Sequence, residues 1–464
     1  RSASRGHCPA CRYFITVTSV EKSEAGVSKN PGSAASARAL RAPVAPVRPG
    51  STQPAPGLIV LALALGGACL LAGLDAVLLR PGARAPVDDA ELVAFHGPLV
   101  LVGLLGTVVA LERAMAARAD WALLAPAGSA TGWLALVAGV PGPAGRVLAL
   151  LGALVLCAVH VRLHRRSASV AVDLGAMGAV ALTAGDLLWL RGLAIEICVP
   201  LWLLLPLLTI VGERLELARA ALPGTIVEET VRTVSAAALL GACVLSAAGA
   251  ARLVMGPAML ALAAVMARYD IARRTIRVAG AVRLTAACAL TGYLWLAAAG
   301  LLWTLGPPGA GSVESAAVPA AGYGGQGHDP AHPADHPADG DVVVQVVAVA
   351  CASSMVLAHA PRIVSAVTHR RLRYHRAMWL PFVLLHAGST ALIVFRARAA
   401  VAAWRQDTPG AAGVIGAVGI VGAVAALVLL LPAATRPAVA GSSDADRPEA
   451  SGPRSIAAGP ARRA

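Results

Sequence analysis

The sequence predicts an all-α protein, a polytopic membrane bundle of about twelve transmembrane helices. Of its 464 residues, 57% are hydrophobic and 14% are charged, and the mean hydropathy is +0.70. A soluble fold cannot bury that much apolar surface. Apolar runs of roughly twenty residues, long enough to cross ~30 Å of hydrocarbon at ~1.5 Å per residue, recur along the chain. We therefore expect the chain to be surrounded by a lipid bilayer.

The predicted spans follow these apolar runs in order, and most charges fall between them. They are 57–79, 92–112, 120–140, 144–163, 168–190, 193–213, 232–250, 252–268, 282–305, 342–363, 377–397 and 410–432. They form one transmembrane domain over residues 56–433. The flanking residues 1–55 and 434–464 are rich in Ser, Ala, Pro, Gly and Arg, so we expect two disordered tails.

The arginines predict the orientation of the bundle. Most loop arginines, among them Arg165, Arg273 and Arg370, lie on the same side as the N-terminus. By the positive-inside rule, both termini are predicted to be cytoplasmic in a multi-pass protein of a bacterial cell membrane. This pattern accounts for the net charge of +14, so no nucleic-acid partner is expected. Trp189 and Trp303 fall near helix ends, where an indole can be half wet.

Ionisable residues within or beside the spans are functional candidates, because each is costly in hydrocarbon. Toward the outer side lie Asp75, Asp186, Glu196 and His96, which predict an acidic outer vestibule. Toward the cytoplasmic side lie Glu112, Arg113, Glu213 and Arg214, together with His160 and His164. In a transporter these two groups would act as gates. The alternative is a set of salt bridges that only lock helix ends.

The inner group contains a sequence motif that occurs twice. Glu112-Arg113 ends span two and Glu213-Arg214 ends span six, and both stretches read E-R-x4-R-A. Because the two motifs lie four spans apart in order, span ten would be the third equivalent, and three sets of four helices would form a parallel repeat. Chance in an Ala/Arg-rich chain is the alternative.

Residues 306–341 form a His/Asp-rich loop that is predicted to be external. It places His328, His332 and His336 at four-residue intervals, with carboxylates between them. Imidazole and carboxylate together suit copper, zinc or nickel. A flexible metal-capturing tether is one interpretation, and a low-complexity spacer is the other.

Other chemistry-bearing patterns are weak. Six of the eight cysteines lie singly in apolar runs, and Cys8 and Cys11 form a CPAC with no second pair nearby. His160 and His164 share one helical face but make only half a metal site. No nucleophile motif, phosphate loop or paired carboxylates with recognisable spacing is present, so we do not expect an enzyme.

Four motifs resemble a mostly uncharacterised family of bacterial twelve-span membrane proteins that is distantly similar to the NnrS proteins. The motifs are His96-Gly97 leading into GLLGTVVALERA, then TIVGERLELARA, SMVLAHAPRIVSAV and LLHAGSTALIVFRA, within residues 90–400. NnrS is a haem- and copper-containing membrane protein associated with nitric oxide resistance. The resemblance implies haem or copper in a sensing or stress-protective role. Span ten of the family often begins with His, where this chain has Gln345, so that ligand cannot be carried over.

The candidate cofactor ligands are His96, His359 and His386. Subunit I of haem-copper oxidases uses a His in spans two and ten, the spans that hold His96 and His359 here. Their depths differ by about 20 Å at ~1.5 Å per residue, however, so they cannot face each other across one iron. His359 and His386 match better in depth. Spans six and seven contain no His, so oxidase-type reduction of oxygen or nitric oxide is not expected.

Two function hypotheses follow. The first is an NnrS-like membrane protein that binds haem or copper, and the alternative is a secondary transporter for a small solute. Glycines at every third position from Gly410 to Gly422 allow close packing in span twelve, either within one chain or in a homo-oligomer.

Overall fold

The regular elements of the protein are helical, as the composition predicts. The computed structural model describes residues 56–79, 95–140, 143–219, 225–305, 345–358 and 374–405, and no strand occurs within these ranges. The ten main α-helices are α1 (Pro56–Leu79), α2 (Thr107–Ala117), α3 (Leu124–Val137), α4 (Ala144–Arg166), α5 (Val170–Leu190), α6 (Ile195–Ala218), α7 (Ile226–Leu245), α8 (Arg252–Tyr269), α9 (Ala281–Leu305) and α10 (Trp379–Arg405). Two π-helices add to them, π1 (Leu99–Gly106) and π2 (Gln345–Ala352).

Eight helices in the described part of the chain are long and apolar enough to cross a membrane. The predicted third span is shorter than expected, because a 3-10 turn at Asp120–Leu123 leaves only 14 residues in α3. The twelfth predicted span lies outside the described residues. The structure therefore confirms an all-helical protein with several membrane-length helices. The number twelve, the orientation and the repeat of three four-helix sets stay predictions.

The outward faces of these helices carry large apolar side chains. Leu240 is 65% exposed, Val244 is 74% exposed and Leu294 is 68% exposed. A water-soluble monomer rarely leaves contiguous surface of this kind open. Together with the eight long apolar helices, this surface identifies a multi-pass membrane protein whose lateral faces suit lipid contact.

Helix α6 lies at the centre of the bundle. In its most apolar stretch, 83% of the residues are buried, which is typical of a helix that is hydrophobic on all sides. It packs most extensively on α5. Glycine permits this close approach, because a Cβ on Gly178 would lie only 3.0 Å from the Cα of Leu205.

Three departures from regular α-helix surround this centre. α6 itself contains Pro200 and Pro206, each of which removes one backbone donor. The spans beside it contain π1 and π2, and both π-helices contact α6. π-helices are rare and are frequently found at functional sites. No pattern in the sequence predicts them.

The helices alternate in direction, which defines two ends of the bundle. The outer end, named after its predicted orientation, is where α5 ends and α6 begins. The inner end is where α4 ends and α5 begins. Ser169 caps α5 at the inner end by accepting a hydrogen bond from the backbone N–H of Val172.

Candidate functional site

Three tryptophans from three helices meet near the outer end. The ring of Trp133 on α3 stacks on that of Trp189 on α5, with centroids 4.6 Å apart and an interplanar angle of 11°. Trp202 on α6 stands nearly perpendicular to both, at 5.6 Å and 5.5 Å. Such edge-to-face and stacked contacts hold aromatic rings in defined positions. We call Trp133, Trp189 and Trp202 the tryptophan cluster.

Asp186 lies beside this cluster and is fully buried. Its Oδ1 accepts a 2.9 Å hydrogen bond from Nε1 of Trp202. Its Oδ2 has no hydrogen-bond partner, and neither does Nε1 of the equally buried Trp133. The preceding Gly185 is required by the packing, since a Cβ there would lie 2.7 Å from the Trp202 ring. The site therefore holds one open acceptor and one open donor away from solvent.

Charged groups collect around the same end. Arg146 on α4 places its guanidinium 5.0 Å from the centroid of the Trp189 ring and donates to the Trp189 carbonyl oxygen at 3.2 Å. Cys198 lies within electrostatic range of Asp186, Glu196 and Arg146. Sequence reasoning missed Arg146, because neighbours in space from separate helices leave no local pattern.

The predicted acidic vestibule is altered by this arrangement. Glu196 is exposed, and Asp75 is half-buried on α1. Asp186 is instead sealed among aromatic rings, and Trp189 is buried although its sequence position predicts a half-wet indole. His96 is also buried, next to Phe95, whose ring contacts that of Trp133 at 6.3 Å.

Trp303 is buried as Trp189 is. Both tryptophans lie near helix ends as predicted, but the expectation of half-wet indoles is wrong because neighbouring helices cover both rings.

At the inner end the two E-R pairs meet. Arg113 on α2 donates a hydrogen bond to the carboxylate of Glu213 on α6. The same guanidinium lies 3.7 Å from the Glu112 carboxylate. The Glu112 carboxyl is also within hydrogen-bond reach of Glu213. The arginine of the first motif therefore binds the glutamate of the second, and two carboxyl groups share it.

Arg214 has a different partner. Its Nε and one terminal nitrogen donate to the two oxygens of Asp270 at 2.7 and 2.5 Å. Asp270, which follows α8, also accepts from the backbone N–H of Ala272 at 2.7 Å and from the hydroxyl of Tyr293 on α9. Both carboxylate oxygens thus accept two bonds, and the group is fully buried. Asp270 and Tyr293 were not foreseen, since they are distant in sequence.

The histidines on α4 do not form a joint site. Nδ1 of His160 lies 3.0 Å from the carbonyl oxygen of Leu156, while its buried Nε2 has no hydrogen-bond partner. Nδ1 of His164 lies 2.9 Å from the Asp173 carboxylate on α5. The adjacent Arg162 and Arg166 both donate to the backbone oxygen of Ala117 at the end of α2. This end of α4 therefore fastens α2 and α5.

The surroundings of His386 on α10 decide its tautomer. Its Nδ1 accepts a 2.9 Å hydrogen bond from Nε1 of Trp295. The hydroxyl of Ser354 donates to the carbonyl oxygen of Cys288 at 2.7 Å, so it receives the Nε2–H of His386 at 3.3 Å. The ring is neutral with both nitrogens engaged. It keeps no lone pair for a metal in this arrangement.

The remaining predicted ligands, His359, His328, His332 and His336, lie outside the described residues. Within the described ranges, no three His, Cys, Asp or Glu side chains are grouped closely enough to hold a metal ion. A small pocket opens beside the middle of α6, where Pro206, Tyr293, Cys351 and Met355 form part of its lining. It contacts π2 and lies near mid-depth in the bundle.

The comparisons with known proteins decide the family. The model of the domain of unknown function DUF8744 matches residues 59–432, which include every described helix from α2 to α10. The chain belongs to the DUF8744 family. No curated protein and no solved structure matched it. Within the described residues of this DUF8744 protein, the tryptophan cluster with Asp186 and the Glu112, Arg113 and Glu213 group are two places where an unpartnered buried polar atom lies beside an ionisable side chain of the predicted site.

Proposed function

We propose that this DUF8744 protein is a secondary transporter that carries a small polar solute across the cell membrane. The observation that carries the proposal is Asp186, a fully buried carboxyl group with one oxygen that has no partner. Ionisable residues inside membrane proteins are expensive, and they typically mark solute or ion pathways.

The open polar atoms indicate what such a solute needs. Oδ2 of Asp186 requires a donor, and Nε1 of Trp133 requires an acceptor. An unpartnered buried polar group costs about 1–3 kcal/mol, so a ligand that satisfies both would be favoured. A solute that carries an amino or hydroxyl group and an acceptor oxygen fits this pair. Since both residues are fully buried, the bundle must open for the solute to enter.

The helix irregularities support the same proposal. Transporters commonly place binding sites where helices are interrupted near the middle of the membrane. Here Pro200 and Pro206 each remove one backbone donor from the continuous helix α6, and π1 and π2 lie in two spans that contact it. Broken helices have alternative backbone hydrogen bonds available, which lowers the cost of a change between two conformations.

The haem or copper hypothesis has less support from the described residues. Both nitrogens of His386 are occupied by protein partners, so the side chain does not fit an axial ligand here. The relation to NnrS stays a prediction, because no relative that could carry it matched the chain. A Soret band in the purified protein that disappears in His386→Ala would reverse this preference.

The test is a ligand screen by thermal unfolding in detergent, followed by uptake into proteoliposomes. A true ligand at about 100 times its Kd stabilises the folded state by about 2.7 kcal/mol. We expect this shift, and uptake, to disappear in Asp186→Asn. The matched control is Asp120→Asn, which removes an exposed carboxylate. A solute whose uptake is unchanged in Asp186→Asn would contradict the proposed site.

A further inference from the structure

Two carboxyl groups share one guanidinium at the inner end. Glu112 and Arg113 are neighbours on α2, whereas Glu213 comes from α6, one hundred residues further along the chain. Arg113 bonds to Glu213 and lies 3.7 Å from Glu112, and the two carboxyl groups are within hydrogen-bond reach of each other. We call these three residues the inner triad.

The charges of the inner triad do not balance if both glutamates are ionised. One guanidinium and two carboxylates leave a net charge of −1, in a part of the bundle where Arg113 is only 13% exposed and Glu213 only 27% exposed. Two carboxyl groups at hydrogen-bond distance cannot both remain ionised at low cost. A single proton between them provides the missing hydrogen-bond donor and makes the triad neutral.

We infer that the inner triad binds one exchangeable proton, shared between Glu112 and Glu213, and that this proton is the coupling ion of the transporter. Its role as coupling ion rests on the proposed transport function. The inference that a proton is bound does not rest on transport, because it is drawn from the charges and contacts of the three side chains alone.

The most exposed side chain of the triad is Glu112. The Glu112 side chain is 58% exposed, so a proton can reach Glu213 through it. The other charged groups around α6 are mostly engaged elsewhere. Asp173 on α5 binds His164 and Arg232, Glu228 on α7 binds Arg219, and Arg214 binds Asp270. On α4, the buried His160 lies within electrostatic range of the Arg113 guanidinium.

Proton binding at this place changes the contact between two helices. With the proton present, the carboxyl pair is held together and Arg113 joins α2 to α6. After the proton leaves, Glu112 and Glu213 repel each other and only Arg113 opposes their separation. Because π1 and the prolines of α6 lie further along the same two spans, a small movement here can reach the tryptophan cluster.

The test is infrared difference spectroscopy of the purified protein between low and high pH. We expect the C=O band of protonated carboxylic acids to contain a component of about one group per chain that belongs to the triad and disappears as the pH rises. This component should be absent in Glu213→Gln and also in Glu112→Gln, which keeps the Arg113–Glu213 pair and should fold normally. The control Glu216→Gln, on the same helix and paired with Arg219, should retain it.

Asp186→Asn separates this inference from the transport proposal. It should abolish uptake but leave the part of the band that Glu213→Gln removes. If neither Glu213→Gln nor Glu112→Gln reduces the wild-type band, the shared proton is ruled out, whatever the uptake assays show. If the band behaves as expected but uptake does not depend on a pH gradient, the coupling role is overturned and the proton site stands.

Discussion

Arg113 and Arg214 occupy the same position in two copies of one short motif, yet they have different surroundings. Arg214 makes a two-pronged contact with Asp270, whose oxygens accept two further bonds. Arg113 is shared between two glutamates, and its Nε has no hydrogen-bond partner. A saturated buried network resists change, whereas an unsaturated one can exchange partners. The same sequence motif therefore forms two different contacts. We call the Arg214–Asp270 contact the fixed joint and the contact of Arg113 with Glu112 and Glu213 the movable joint.

The strongest way to break the fixed joint is to remove its cation. Arg214→Met leaves the Asp270 carboxylate buried without its counter-charge, and losing one partner of a buried pair costs about 3–5 kcal/mol. We expect a large fall in the midpoint of thermal unfolding in detergent. Arg219→Ala, which removes an exposed arginine of the same motif, should change it little. Equal effects of the two variants would show that the Asp270 network is not the joint described here.

Tyr293→Phe tests the fixed joint more gently. The variant deletes one of the four hydrogen bonds to Asp270 and leaves the packing of the ring almost unchanged. A hydrogen bond to a charged group contributes about 1.5–3 kcal/mol, and we expect a loss near the lower figure because three bonds remain. Thermal unfolding measures it, with Tyr269→Phe as the matched tyrosine control. A neutral result would mean that the Arg214 contact alone holds Asp270.

The movable joint should be the least sensitive in stability. Arg113→Gln removes a largely buried cation, but Glu112 is 58% exposed and both carboxyl groups can take up protons in its absence, so the loss should stay well below that of a fully buried pair. We therefore expect a small change in unfolding midpoint but a clear change in the pH dependence of uptake. A double-mutant cycle with Glu213→Gln should give a coupling energy below about 1 kcal/mol. A loss as large as that of Arg214→Met would remove the distinction between the two joints.

Most helices lie within a few residues of the predicted spans, because apolar run length and the positions of charges are local properties. The predicted spans 144–163, 168–190 and 282–305 correspond to α4, α5 and α9. The third span was overestimated, since its first residues form a 3-10 turn at Asp120–Leu123. The π-helices could not be foreseen, because their backbone pattern depends on how the span packs on α6.

The candidate residues were foreseen more reliably than their partners. Asp186, Glu213 and Arg214 stand out in the sequence because charge is rare in apolar runs. Their partners Trp202, Arg113 and Asp270 are respectively 16, 100 and 56 residues away. The repeated E-R motif suggested that the two pairs occupy equivalent positions in the bundle. Their direct contact, Arg113 with Glu213, has no signature in a single sequence.

By itself, the sequence determined the environment and the class of this protein, because the transfer of apolar runs into lipid is a sum over neighbouring residues. It also identified the ionisable side chains that are costly within apolar spans and are therefore functional candidates. Only the tertiary structure decided what each of them does. Burial of Asp186 among three indoles, saturation of His386 and the unequal fates of Arg113 and Arg214 arise from contacts between distant helices, and those contacts set the local charge balance.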